Sequence, residues 1–378
     1  MKILLVGEYS RLHNSLKEGL QQLNYNVTIV ASYDGFKKYN VDLLIKKKYQ
    51  KGFKKNIKNL IFRLFGYDLE SRNVKRQIQE LKHKLSGYDI VQFINEAPFG
   101  CTANTEMQIF NTISSWNKNI FLLSCGIDHL SIKYAFEDKY RYSILTPYKK
   151  KKDISNLSAY GLKFLNSEFV NLHQVVYNRI SGVIASDIDY HLPLKEHPKY
   201  LALIPNPINI DTLKYNKPII KESIIIFHGI NSHNYFKKGN DIFDEALSIV
   251  SKKYNDRIKI VTAKSLPYED YIESYNDSHI LLDQVYAYDQ GYNALEAMAK
   301  GKVVFTGAEK EWLEYYNIEE DTVAINALPN AIEIAKKLEW LINNPKKIIE
   351  ISANARKFVE KEHSYIISAK KYLNCWTK

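Results

Sequence analysis

The sequence has little that would announce a covalent or metal-built scaffold. Its three cysteines, Cys101, Cys125 and Cys375, are far apart, and none forms a CxxC or CxxH pair. A disulfide framework or a zinc site is therefore not expected, and a reducing compartment suits the chain best. No stretch approaches the ~18 consecutive apolar residues that a membrane-spanning helix requires. Met1-Lys2 runs directly into Ile3-Leu4-Leu5-Val6-Gly7, too short an apolar run for a signal segment. The expected location is thus cytoplasmic, at most peripheral on the inner membrane leaflet. Low-complexity tracts and short-period repeats are missing too, as are GxSxG, HExxH and P-loop patterns, which removes the best-marked hydrolases, zinc proteases and phosphate-binding NTPases.

What is present is an ordinary globular composition on a long chain. With 378 residues, 45% of them apolar and 25% charged, the chain can bury a sizeable core in two or three domains. The formal net charge is +11, and its distribution says more than its total. Between Lys46 and Lys84 stand 13 Lys and Arg residues against three acids, Asp68, Glu70 and Glu80, so nearly all the surplus lies in one segment. Within it Phe53, Ile57, Leu60, Ile61, Leu64 and Phe65 recur at helical spacing, with Lys51, Lys54, Lys55, Lys58 and Arg63 between them. From the pattern alone this basic amphipathic stretch reads as a solvated lysine face over a core stripe, as a surface for anionic lipid, or as a phosphate-binding patch. No RNP-like strand, zinc finger or helix-turn-helix accompanies it, and nucleic acid is not the expected partner.

Short β-rich runs alternate with helical-period segments from end to end. Strands are expected at Lys2–Gly7, Asn26–Ser32, Tyr88–Ile94, Asn119–Ser124, Gly182–Ser186 and Tyr200–Pro205. A second set is expected at Ser223–Gly229, Arg257–Ala263, Ser278–Gln284, Lys302–Gly307 and Thr322–Asn326. Helical stretches such as His13–Leu23, Asp241–Lys253, Gly291–Lys300 and Ala331–Asn343 lie between or after them. Such alternation implies α/β architecture with parallel sheets covered by helices. The pattern divides into two doubly wound units near Ile204-Pro205-Asn206-Pro207, where two prolines interrupt it. In open α/β sheets ligands sit at the carboxyl ends of strands, so the loops there carry the candidate chemistry.

The most informative loop is Tyr288-Asp289-Gln290-Gly291, which feeds Tyr292-Asn293-Ala294-Leu295-Glu296-Ala297-Met298-Ala299-Lys300 and ends at Gly301. Amides at such a helix start favour a diphosphate, and a carboxylate a turn further on can accept from ribose hydroxyls. The same residues also suit a plain turn and a surface helix.

This segment resembles the glycine-plus-Glu-x7-Glu region of the nucleotide-sugar-dependent glycosyltransferase family 4 (glycosyltransferase group 1). Gly291 occupies the family's glycine place, Glu296 its second glutamate, and Glu296-Ala297-Met298-Ala299-x-Gly301 its EAMAxG run. Ile204-Pro205-Asn206-Pro207-Ile208-Asn209 resembles the family's IPNGVD junction, and Lys237-Lys238-Gly239 its KKG. Lys2–Gly7 with Leu12–Leu20 is similar to its first loop and helix, and Phe358-Val359-Glu360 with His363-Ser364 to its closing helix.

The resemblance implies a GT-B architecture of two Rossmann-like domains, residues 1–205 and 206–357, with residues 358–378 crossing back to the first. It implies a retaining transfer of sugar from a UDP- or GDP-linked donor to a glycan or lipid-linked glycan, in cell-surface polysaccharide synthesis, with no cofactor and no metal. Lys238, Asp289 and Glu296 would be catalytic. Gly7, Asn206, Lys237, Lys238, Gly291, Tyr292, Asn293 and Glu296 would bind the donor, and His13, Glu96 and Asp128 would stand on the acceptor side.

Three departures accompany the match. Tyr288 stands at the family's first glutamate, with Asp289 beside it to supply a carboxylate. His228-Gly229-Ile230-Asn231 lacks the family's arginine, leaving His228, Asn231 or His233 as substitute donors. Cys125 replaces a histidine in Ser124-Cys125-Gly126-Ile127-Asp128. Asp187-Ile188-Asp189 is a DxD string, read as structural. The rival readings are a catalytically silent GT-B scaffold or glycan-binding subunit, and nucleotide-sugar epimerisation.

Overall fold

Ile3, Leu4, Leu5 and Val6 are all fully buried, as a strand must be when helices cover both faces of its sheet. In the computed structural model, which describes residues 1–33, 39–153, 160–266 and 268–377, they belong to the first of two parallel sheets. That sheet contains β1 (Lys2–Val6), β2 (Asn26–Ala31), β3 (Leu43–Leu44), β4 (Ile90–Phe93), β5 (Asn119–Ser124), β6 (Gly182–Ala185) and β7 (Tyr200–Leu203), in the order β3-β2-β1-β4-β5-β6-β7. The second contains β8 (Ile224–Ile230), β9 (Ile258–Lys264), β10 (Ile280–Leu282), β11 (Val303–Thr306) and β12 (Ile325–Asn326), in the order β12-β11-β10-β8-β9. Each expected strand is present within a few residues of its expected bounds. Only β3, a two-residue edge strand, lies outside the expectation.

Both sheets reverse direction of travel once. From β1 the chain winds outward through β2 and β3, then returns to pair β4 on the other side of β1. From β8 it goes to β9, then returns to pair β10 on the other side. These are the switch points where parallel sheets open a crevice between diverging loops. The loops after β1, β4, β8 and β10 therefore define where a ligand can enter.

The chain passes between the sheets twice, and the two passages are tied together. Ile208 N–H donates to His363 O at 2.7 Å, and Tyr365 N–H donates to Ile208 O at 3.1 Å. The His363 ring adds a bond from Nδ1 to Asn206 O at 2.9 Å. Beyond this point the helix Tyr365–Trp376 lies on the helix Leu12–Gln22 of the first sheet. Gly19 makes that approach possible: a Cβ there would sit 2.2 Å from Tyr365 O. Trp376 Nε1 then donates to Gln92 Oε1 of β4 at 3.2 Å.

The helix after β3 is barely covered. Gly52–Phe65 contains no buried residue, and Phe53, Leu60, Phe62, Leu64 and Phe65 are 51% to 78% exposed.

Candidate active site

On the second-domain side, the turn after β8 brings Lys237 and Lys238 to the end of β10. Gly239 has φ +75°, and a Cβ there would meet Val285 Cβ at 2.6 Å, so only glycine lets the two loops touch. Val285 N–H donates to Lys238 O at 2.9 Å. Thus held, Lys238 Nζ stands 3.0 Å from Asp283 Oδ1, and Asn293 Nδ2 donates to the same oxygen at 3.0 Å. Thr306 Oγ1 completes the set at 3.2 Å from Asp283 Oδ2. Asp283 is buried while Lys238 keeps about a third of its side chain open, 1% against 32% exposed. A buried carboxylate thereby aims a cation from one loop and an amide from a helix start toward one place. Lys237 is half-buried beside it, and burial together with the Lys238 charge lowers its pKa to about 8.

Asn293 is in the first turn of the helix Tyr292–Ala299, whose N-cap is Gly291. Gly291 has φ −80°, and a Cβ there would meet only Gln284 Nε2 at 3.8 Å. The fold itself does not demand glycine at this point, and the helix start is left clear for close approach by an anion. One turn on, Glu296 is 8% exposed; Arg11, in the loop after β1, is paired with Glu18 at 2.6 Å and adds a weaker attraction for Glu296. Tyr292 points elsewhere: its hydroxyl donates to Pro207 O in the interdomain passage, and it is fully engaged by the protein.

Asp289 also turns away from the open crevice. Its Oδ2 accepts from Ile188 N–H at 3.0 Å and its Oδ1 from Gln290 N–H at 2.7 Å. In return the Asp189 carboxylate accepts from Tyr288 N–H at 3.1 Å and Asp289 N–H at 3.2 Å. Gly307 lies directly beneath, where a Cβ would be 2.5 Å from Asp289 O. Burial, then mutual repulsion, lifts Asp189 to about 7, and burial lifts Asp289 to about 6. The DxD string is accounted for by this contact: Asp187 caps the helix Ile188–Leu194 through Tyr190 N–H, and Asp189 holds the opposite loop. Tyr288 is buried as well, its hydroxyl accepting from Arg141 N–H at 2.8 Å with the Arg141 guanidinium over its ring. Arg141 and Tyr142 of the first domain then grip Glu309 of the second.

The first-domain residues named for the acceptor are buried. His13, Glu96 and Asp128 are each at most 2% exposed. His13 Nδ1 is 2.7 Å from Gly7 O, which can only accept, so its Nε2 accepts from Gln92 Nε2 at 3.2 Å. Burial drops its pKa to about 4, and it stays neutral. Asp128 caps the helix His129–Phe136 through Ser131 N–H at 2.8 Å and accepts from Ser124 Oγ. Glu96 Oε1 accepts from His173 Nδ1 at 2.7 Å, and burial and the Asp128 charge raise its pKa well above the carboxylate range. All three are engaged by partners within the protein. Gly7 is required by the fold, since at φ +90° a Cβ would meet Ile94 Cγ2 at 2.4 Å. Asn206, 5% exposed, sits in the first interdomain passage.

His228 is not a substitute donor for the crevice. It is fully buried, with Nε2 2.9 Å from Asn240 Oδ1 and Nδ1 facing Asp244 at 3.2 Å. Asn231 Oδ1 accepts from His233 N–H at 3.0 Å, which turns the loop. Asp283 is the contributor that sequence reasoning missed. Asp283 had a signal, being the first polar residue after the apolar run of β10. Arg141 and Glu309, 168 residues apart, had none.

Residues 236–374 match a family described as glycosyl transferase-like. No curated protein matches the chain at significant sequence similarity. Among solved structures, sucrose-phosphate synthase from Thermosynechococcus elongatus superposes with TM-score 0.64 at 13% identity, over 100% of this chain and 98% of that one. HepE from Anabaena, in complex with UDP and glucose, gives 0.58 at 12% identity over 100% and 99%. A TarM variant from S. aureus, in complex with Fondaparinux, alpha-GlcNAc-glycerol and UDP, gives 0.60 at 14% identity over 100% of both chains. The chain therefore has the GT-B fold of these glycosyltransferases, and its residues from 236 to 374 carry the glycosyl transferase-like signature.

Proposed function

We propose that the protein transfers a sugar from a nucleoside diphosphate donor to a hydroxyl of a glycan or lipid-linked glycan, with retention of configuration, in building cell-surface polysaccharide. One observation carries the reading. Asp283 aims Lys238 and Asn293 at the start of the Tyr292–Ala299 helix, where Gly291 leaves room and Glu296 follows a turn later. A diphosphate on those amides meets the positive end of the helix and the Lys238 ammonium together. As the glycosidic bond breaks, negative charge grows on the departing phosphate, and a cation fixed there acts where transition-state charge develops. Glu296 accepts from the donor ribose. The acceptor hydroxyl attacks from the face the phosphate leaves, and the phosphate oxygen takes its proton, so no protein nucleophile takes part. UDP-bound HepE and TarM share the fold, which supports a uridine or related nucleotide as the leaving group.

Asp289 takes a different part from the one its sequence position suggests. With both oxygens on backbone amides, it fastens the domains. That same engagement favours a second reading, a catalytically silent glycan-binding subunit. Thermal-shift titration with UDP, GDP, ADP and CMP, followed by hydrolysis of the corresponding sugar donors, separates the two. Stabilisation by one nucleotide together with sugar release supports transfer; neither, at saturating concentration, overturns it.

A further inference from the structure

The Gly52–Phe65 helix is 14 residues and about 21 Å long, and it carries no buried residue. It touches the protein only lightly, through half-buried Ile57, Lys58 and Ile61. Phe53, Leu60 and Leu64 recur at seven and four, one exposed stripe, 78%, 57% and 63% accessible. Arg63 borders the stripe on one side; on the other, beyond half-buried Ile57 and Ile61, come Lys54 and Lys58. No acidic residue occurs between Lys46 and Tyr67. Among the described residues none forms an ion pair with Lys51, Lys54, Lys55, Lys58 or Arg63.

We propose that this helix seats the protein on an anionic lipid surface, the stripe of Phe53, Leu60 and Leu64 entering the headgroup–acyl boundary while the flanking cations meet lipid phosphates. A water-exposed phenylalanine and leucine stripe gains by leaving water, and a polybasic rim gains from a negative surface potential. Both conditions are met on one helix only by an interface that is apolar within and anionic at its edge. A second copy of the same face would bring two unpaired basic helices together. Nucleic acid would answer the charge and leave the apolar stripe in water. The helix follows β3, the edge strand of the first sheet.

The test is vesicle flotation of the full chain, without nucleotide, on phosphatidylglycerol–phosphatidylcholine mixtures and on phosphatidylcholine alone. Two variants accompany it: Phe53→Ser with Leu60→Ser and Leu64→Ser, and Lys54→Glu with Lys55→Glu and Lys58→Glu. The wild type is expected to float with the anionic vesicles alone and to be released by salt, and each variant to bind at least about tenfold more weakly. Absence of flotation at low salt, or equal flotation by all three proteins, overturns the proposal. So does a dimer or a nucleic-acid shift that these variants abolish while flotation is unaffected. All substituted residues are exposed or half-buried surface positions, and unchanged circular dichroism confirms folding. Donor hydrolysis in lipid-free solution is a separate readout, so failure here leaves the sugar-transfer reading standing, and the reverse.

Discussion

Asp189 and Asp289 hold each other's backbones: Asp189 accepts from the Asp289 amide at 3.2 Å, and Asp289 accepts from Ile188 N–H, next to Asp189, at 3.0 Å. The two carboxylates come from loops of the two different sheets, so this reciprocal pair fastens one to the other. Its strength depends on charge, because Asp187, Asp189, Asp289 and Glu309 crowd the same buried region.

The sign of that dependence follows from burial. Asp189 rises to about 7 and Asp289 to about 6, against 3.8 for an ordinary aspartate. Between about pH 4 and pH 7 these two carboxyls hold more protons in the folded protein than in the unfolded chain, so their contribution to stability is complete at acid pH and fades as pH rises through the folded values. Asp189→Asn keeps an acceptor and removes the charge. Between about pH 5 and pH 8 the wild type is expected to lose about 1–2 kcal/mol more than this variant in urea unfolding. Parallel pH slopes would show that the pair carries no such linkage.

Lys237 supplies a second proton signature. Held at about 8 by burial and by Lys238, it is largely neutral above that pH in the free protein. A bound diphosphate restores its charge, so nucleotide binding near about pH 8.5 is expected to take up a proton, visible as a heat that varies with buffer ionisation enthalpy. Lys237→Gln should bind without uptake. Buffer-independent heats for the wild type would remove Lys237 from the donor site.

Lys238→Met leaves the stem and deletes the cation. The expected loss is about 10²–10³ in kcat with a smaller change in KM, since the charge matters most as the phosphate departs. A rise in KM alone would place Lys238 in ground-state binding.

Glu296→Gln should keep the helix and lose the stronger ribose contact. A nucleotide at a hundred times its Kd stabilises the folded state by about 2.7 kcal/mol, and at the same concentration the variant should show clearly less. Equal melting shifts in both proteins would move the nucleotide away from this helix.

Gly19→Ala tests the passage of the last helix. In an exposed helix this change stabilises by up to about 1 kcal/mol. Here the new methyl would meet Tyr365 O at 2.2 Å, and the expectation is destabilisation of about 1–3 kcal/mol in denaturant unfolding. A raised midpoint would mean that the two helices separate easily.

The parallel sheets were legible because runs such as Ile3–Val6 and Val303–Thr306 are apolar on both faces and bounded by turn residues, a pattern that needs no partner to be read. Gly291 and Glu296 were legible as candidates because they follow a strand end, and Lys238 through the resemblance of Lys237-Lys238-Gly239 to a family motif. The orientation of Asp289 was not, since it depends on Ile188 and Gly307, which approach it only in the folded chain. His13 opens the first helix, a place that suggests a ligand, yet Gly7 O and Gln92 occupy both its nitrogens. For the Gly52–Phe65 helix the period was plain, but the same period serves a covered face and an open one, and only packing tells them apart.

The seat of the Tyr365–Trp376 helix on Leu12–Gln22 has a consequence for the order of assembly. The surface that Gly19 keeps bare is synthesised some 340 residues before its cover. A nascent first sheet thus waits on the ribosome with one helix face unclosed, exposed to chaperones and to aggregation, until the second sheet has been delivered. Completion of the earlier half is therefore a late, non-local step, and its rate should be governed by closure of the whole chain more than by any part of the first sheet.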